Sequence, residues 1–258
     1  MNVKVVEGNR LKLPKIGWVK FRCSRDIPAQ FRVKQVRIVK RSSGFYAMLS
    51  IASDIDVAVS KPYGHAVGID VGISHFLATS DGYLEPNPRF FVTGQSKLKS
   101  LQRAASRKQK GSRRWKIAMG RVARHHERLS NARKDFHFKL AHRLCSMADT
   151  LFVEDLNLKG LARMSLSKHV LDAGWGQFLS ILGYVAFISG KHVQKVLAKG
   201  TSQECPECGV EVKKTLSIRI HTCPECGYEA DRDVAAARVV LKRGNTASGL
   251  GAVKLGEG

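Results

Sequence analysis

The stretch Ala66-Val-Gly-Ile-Asp-Val-Gly-Ile73 decides the fold. Its short apolar run reads as a buried strand, and that strand carries one carboxylate, Asp70. Burying an ionised carboxylate without a partner costs on the order of several kcal/mol, so Asp70 calls for a cation, a metal or a place at the strand's open end. Two other segments repeat the pattern. Thr150-Leu-Phe-Val-Glu-Asp-Leu156 is an apolar run ending in Glu154 and Asp155, and Ala230-Asp-Arg-Asp-Val-Ala-Ala-Ala237 opens a helix with Asp231 and Asp233, where the helix dipole favours negative charge. Each alone is an ordinary turn or cap acid. Together they predict one metal site built from three distant segments, with the choice between Asp231 and Asp233 left open.

Outward from Asp70, His75-Phe-Leu-Ala-Thr79, the turn Ser80-Asp-Gly82 and Tyr83-Leu-Glu-Pro86 predict an antiparallel meander. A basic helical hairpin follows over residues 97–148. Leu98, Leu101 and Ala105 mark its first arm, Gly111-Ser112 the break, and Val122, Leu129, Phe136, Leu140, Leu144 and Met147 an apolar stripe on a second arm up to ~55 Å long. After the Glu154 strand, Phe178, Ile181, Leu182, Val185 and Ile188 predict a helix between Gly174 and Gly190, and His192–Leu197 another strand. Strand, meander, helix, strand, helix, strand is the order of an RNase H-like α/β domain, expected over residues 61–200. The last helix, 230–243, presents Val234, Ala237 and Leu241 on one face. Residues 1–60 read as strands of a small β-barrel or sheet, with Leu11–Phe21 one alternating run and Arg41-Ser-Ser-Gly44 the loop of a hairpin. Residues 244–258 have the composition of a disordered tail.

The chain holds 44 Lys and Arg against 21 Asp and Glu, a net +23, which calls for a polyanionic partner. Nucleic acid fits better than a membrane, because the basic segments lack a Trp/Phe-rich apolar face and no apolar run approaches the roughly 20 residues of a bilayer span. The start, Met1-Asn-Val-Lys-Val-Val-Glu-Gly8, lacks the layout of a signal peptide, so a cytoplasmic, nucleoid-associated address is expected. Between Lys97 and Met147 stand 16 Lys and Arg against Glu127 and Asp135 alone. Such an excess repels itself without a counter-anion, which makes Arg103, Arg107, Lys108, Lys110, Arg113, Arg114, Arg121 and Arg124 the expected phosphate contacts.

Four of the six cysteines form pairs, Cys205-Pro-Glu-Cys208 and Cys223-Pro-Glu-Cys226, separated by 14 residues. Each Cys-x-x-Cys turn directs two thiolates to one tetrahedral ion, so residues 201–229 are expected to be a ribbon around structural Zn2+. A hairpin such as Glu211 to His221 fits between the knuckles. His221 is surplus to four sulfurs, while Cys23 and Cys145 read as core thiols.

In this order the motifs Gly68-Ile-Asp-Val-Gly72, Val153-Glu-Asp-Leu-Asn157, Asp172-Ala-Gly-Trp-Gly176, Thr201-Ser-Gln-Glu-Cys-Pro-Glu-Cys-Gly209, Thr222-Cys-Pro-Glu-Cys-Gly227 and Asp231-Arg-Asp-Val234 resemble the TnpB proteins of bacterial insertion sequences, relatives of the type V CRISPR effectors. The resemblance implies a RuvC-type nuclease domain of RNase H fold, with Asp70, Glu154 and Asp233 as catalytic ligands of Mg2+ or Mn2+. It also implies Cys205, Cys208, Cys223 and Cys226 as zinc ligands. Implied too are cleavage of DNA under a guide RNA derived from the transposon end and a wedge-like identity for residues 1–60, shortened at the N-terminus. The chain departs from the family's usual Asp-x-Asn-Ala-Ala in reading Asp233-Val-Ala-Ala-Ala237. The alternative implied by the shortening is a nucleic-acid-binding derivative that does not cut.

Overall fold

The computed structural model describes residues 6–24, 26–54, 60–157, 160, 167–215 and 218–249. Strands β1 (Val6–Glu7), β2 (Arg10–Leu13) and β3 (Gly17–Lys20) pair antiparallel in that order. The run expected as one strand from Leu11 to Phe21 is therefore two. Lys15 (φ +63°) and Gly17 (φ +82°) turn it back after Pro14, which cannot donate to a ladder. β4 (Arg32–Arg41) and β5 (Gly44–Ala52) form a long hairpin whose loop is Ser42-Ser43. Among the described residues no hydrogen bond joins these two sheets into the barrel expected of residues 1–60. The hairpin tip instead reaches the helical hairpin, where Glu127 accepts from the Ser43 N–H at 3.0 Å and from the hydroxyls of Ser42 and Ser43.

The core is a five-stranded sheet made of β6 (Ala66–Val71), β7 (His75–Thr79), β8 (Leu84–Pro86), β9 (Thr150–Glu154) and β10 (His192–Val196). Its spatial order is β10-β9-β6-β7-β8; β6, β7 and β8 are antiparallel neighbours, whereas β9 runs parallel to β6 and β10 parallel to β9. The parallel pairs need crossovers, which are helical. The first holds α1 (Phe90–Ser106) and α2 (Arg113–Met147), the second α3 (Ser167–Ala173) and α4 (Trp175–Ile188). α1 starts seven residues before the expected boundary, and the break falls where Ser112 caps α2 by accepting from the Trp115 N–H at 3.1 Å. The 35 residues of α2 span about 52 Å.

Period-two alternation divides the sheet into two unlike faces. Val67, Ile69, Leu151 and Val153 meet Leu140 and Leu144 of α2 and Phe178, Leu182 and Val185 of α4. Phe76 stacks edge-on against Phe136 and Phe178, at 5.0 and 5.1 Å between ring centres. Met147, expected in this stripe, is 37% exposed at the helix end. By length and composition alone Val170–Ile188 passes for a membrane span, contrary to the sequence reading, but Phe178, Leu182 and Val185 are fully buried against the sheet.

The other face carries α5 (Arg232–Ser248), packed on Phe152 and Val196 through Val240. Contact is so close that a methyl at Gly68 would run into the Ala237 carbonyl, and one at Gly244 into the Phe152 ring. This corrects the expected boundary at residue 243: Gly244 is buried inside the helix because only glycine clears Phe152, and the helix ends at Gly249, in the left-handed region. Residues 250–258 of the expected tail lie outside the described residues.

Candidate metal centres and nucleic-acid surface

Strand register brings the first two carboxylates together. β6 and β9 pair from Ala66↔Thr150 to Ile69↔Val153, so one further step sets Asp70 beside Glu154. In-register residues of parallel neighbours share a face, about 4.8 Å apart along the sheet. For Asp70 and Glu154 that is the α5 face, and α5 begins above them with Asp233 in its first turn. The glycine at 68 thus has a purpose two residues from Asp70, since it lets the helix carrying the third acid lie directly on the strand carrying the first.

Burial raises the Asp70 carboxyl well above its ordinary range, and the charges of Glu154 and then Asp233 push it further. No described residue gives that carboxylate a hydrogen bond or ion pair. Glu154 is 7% exposed and also raised by burial, against the hydroxyl of Thr201 and the charge of Arg243, which lower it. Asp233 is better provided: His75 Nδ1 lies 3.3 Å from its Oδ2 and Arg219 3.9 Å from its Oδ1. The acidic pairs separate by role. Asp231 is the helix cap, accepting from the N–H groups of Asp233 at 2.8 Å and Val234 at 3.3 Å, while Asp155 points outward to Lys195 at 2.9 Å. Ala235, where the family usually has Asn, is buried. Sequence reasoning missed Thr201, His75 and Arg219; Thr201 alone had a signal, as the first residue of the motif that holds the first cysteine pair.

The four paired cysteines meet as expected. Their sulfurs all lie within 4.8 Å of one another, with Cys205–Cys226 at 3.6 Å and Cys208–Cys223 at 3.5 Å. A tetrahedron with ~2.3 Å metal–sulfur bonds has edges of about 3.8 Å, so the set fits one ion with little movement. Among the described residues no other group of three or more His, Cys, Asp or Glu is drawn together so tightly. The Cys226 N–H pulls the Cys223 thiol down to about 7, while against the Tyr228 N–H burial and the neighbouring sulfurs push the Cys226 thiol up to about 12, so the four share their protons until a cation replaces them. His221 is fully buried between Lys214 and the Tyr228 ring and takes no part. β11 (Ile220–Thr222) pairs with β12 (Glu229–Asp231) across the second knuckle, which so runs straight into the Asp231 cap, and residues 216–217 of the hairpin expected at Glu211–His221 lie outside the described residues.

Arg103, Arg107, Lys108, Lys110, Arg113, Arg114, Arg121 and Arg124 are all exposed on α1, α2 and their connection, and none is paired with a described carboxylate. The Asp172 motif acts locally, for Asp172 accepts from the Phe91 N–H at 2.7 Å and so ties α3 to the start of α1. Beside it His137 Nε2 bonds the Ala173 carbonyl at 3.0 Å, and burial lowers this imidazole to about 4.

Two family models match in succession. One, OrfB_IS605, described as "Probable transposase", covers residues 50–165; the other, the TNB domain of Cas12f1-like proteins, covers 175–240. The chain is 30% identical over 262 residues to an Escherichia coli K12 protein named "Putative RNA-guided DNA endonuclease InsQ", a match covering 95% of this chain and 64% of that protein. A Streptomyces pristinaespiralis protein named as the same kind of endonuclease is 34% identical over 233 residues, covering 89% of this chain and 58% of its own length. The chain therefore spans about three-fifths of these relatives. The Cas12f1 chain from a cryo-EM complex with sgRNA and target DNA matches with a TM-score of 0.50 at 16% identity, over 80% of this chain and 55% of that one, which establishes a shared mixed α/β fold. The class is that of the insertion-sequence, transposase-associated proteins. Within it, the two family models and these relatives support a TnpB-family protein.

Proposed function

We propose that this chain is the nuclease portion of an RNA-guided DNA endonuclease that hydrolyses phosphodiester bonds at Asp70, Glu154 and Asp233. The observation that carries the reading is the unpaired, partly buried Asp70 carboxylate, set by strand register beside Glu154 and pushed up by the charges of Glu154 and Asp233. Such a cluster repels itself until a cation enters, and hard oxygen donors suit Mg2+ or Mn2+, as sulfur suits Zn2+. Bound at this site, two such ions would activate a water and stabilise the leaving oxygen. The protein's part is to hold the three carboxylates on one face: Asp70 and Glu154 through sheet register, Asp233 through the close seat of α5. The strand order, three antiparallel strands and then two parallel ones, supports an RNase H-like core over residues 61–200, and the four clustered sulfurs support a zinc ribbon over 201–229. The exposed cations of α1 and α2 would hold phosphate backbone, and a guide derived from the transposon end would read sequence by base pairing. A cytoplasmic address beside the chromosome follows from that reading.

The test is Mg2+-dependent cleavage of guide-matched DNA by protein purified from cells carrying its native locus. Asp70→Ala abolishes cutting while nucleic-acid affinity stays within about twofold of wild type. Unchanged cutting refutes the assignment, and binding without cutting by the wild type establishes the non-cleaving derivative.

A further inference from the structure

Glu154 ends its strand with three rotatable side-chain bonds, and a metal ligand so free must be fixed by something. Among the described residues Thr201 alone bonds its carboxylate, its Oγ1 donating to Oε1, and the same hydroxyl lies 3.2 Å from the Ala198 carbonyl. Both side chains are nearly sealed from solvent, at 5% and 7% exposure. No described residue engages Oε2. Thr201 is in turn held from two directions. Arg243 of α5 donates to the carbonyls of Leu197 at 2.7 Å and Lys199 at 2.8 Å, and to Glu204 Oε2 at 2.5 Å, and so grips both flanks of the Thr201 loop. Gly200, in the left-handed region, accepts from the N–H groups of Gln203 and Glu204, each at 3.0 Å, and winds the chain into Cys205.

We infer that Thr201 is a positioning residue: its hydroxyl takes one oxygen of Glu154 and leaves the other turned to the metal site, and the loop between Arg243 and the cysteine cluster sets where that hydroxyl stands. This rests on the reading of Glu154 as a metal ligand. A β-branched residue suits this role, because crowding at Cβ restricts the rotamer that aims the hydroxyl. The arrangement also links the two constellations in one direction, from the cysteine knuckle through Thr201 to a carboxylate.

The experiment measures Mn2+ binding to the full chain without nucleic acid, from the electron paramagnetic resonance signal of free Mn2+, with bound zinc counted in the same samples. Thr201→Val keeps the shape and loses the hydroxyl, and Thr201→Ala loses it without crowding; both weaken Mn2+ binding about tenfold or more, the usual loss when a ligand's hydrogen-bond partner is removed. Thr201→Ser stays within about threefold of wild type, and zinc content is the same throughout. Unchanged Mn2+ binding in Thr201→Val and Thr201→Ala, with Glu154→Gln impaired, overturns the role of Thr201 and leaves the carboxylate site standing. Unchanged binding in Asp70→Asn and Glu154→Gln overturns the carboxylate site itself.

Discussion

The cysteine cluster and the carboxylate cluster solve the same problem by opposite means. Four sulfurs come from two tight turns, each ending in a glycine of positive φ, so most of the geometry is local to two four-residue motifs. Three carboxylates come from two strands and a helix, and their meeting depends on sheet register and on how closely α5 lies against β6. On the proposed reading, the first set would close around a structural ion and the second would stay open to water and substrate. A local site tolerates change elsewhere in the fold, whereas one built from register is lost by substitutions that touch none of its ligands.

The largest effect is expected from breaking the local site. Cys223→Ser leaves three sulfurs, lowers bound zinc from one per chain to near zero and opens residues 201–229 to proteolysis, because structural zinc supplies roughly 10–16 kcal/mol of apparent folding energy to such small ribbons. Limited proteolysis with metal analysis reads this directly; a ribbon that stays protected without metal would show that the cluster is not its support. Next comes a substitution aimed at register. Gly68→Ala drives a methyl into the Ala237 carbonyl, lifts α5 and carries Asp233 away from Asp70. A loss of about 3 kcal/mol in urea unfolding, together with loss of metal-dependent activity, is expected. The smallest effect sharpens the contrast. The folded-state Asp70 pKa is raised, so between its ordinary value and that raised value the native state binds the extra proton. The metal-free protein therefore gains stability from this group as pH falls from 7 through the raised pKa, and loses it again as pH rises. Asp70→Asn, carrying no charge, flattens that slope and raises the metal-free melting temperature at pH 7; an identical pH profile in both proteins would mean that the cluster is not strained.

What is legible in the sequence follows the same division. Both knuckles, the strand order and the two arms of the helical hairpin are readable because each is written in neighbouring residues. Asp231 and Asp233 are not separable by sequence, because both acids open the same helix and only the structure shows that Asp231 caps it. The helical Gly244 reads as a break since glycine signals one on its own, and only the Phe152 ring, nearly a hundred residues upstream, makes it a contact residue. Thr201 stands out in sequence only for its place before a cysteine, while its hydroxyl acts on a glutamate 47 residues away.

The seating of α5 has a consequence in time as well as in space. That helix brings the third carboxylate, fills the second face of the sheet and, through Lys242 on the carbonyls of Pro206 and Glu207, holds the first cysteine knuckle. A chain still being synthesised displays its basic helical hairpin long before this helix emerges from the ribosome. On the proposed reading, the basic surface is synthesised before the set of three carboxylates is complete, so the chain would be able to hold phosphate before it could cut.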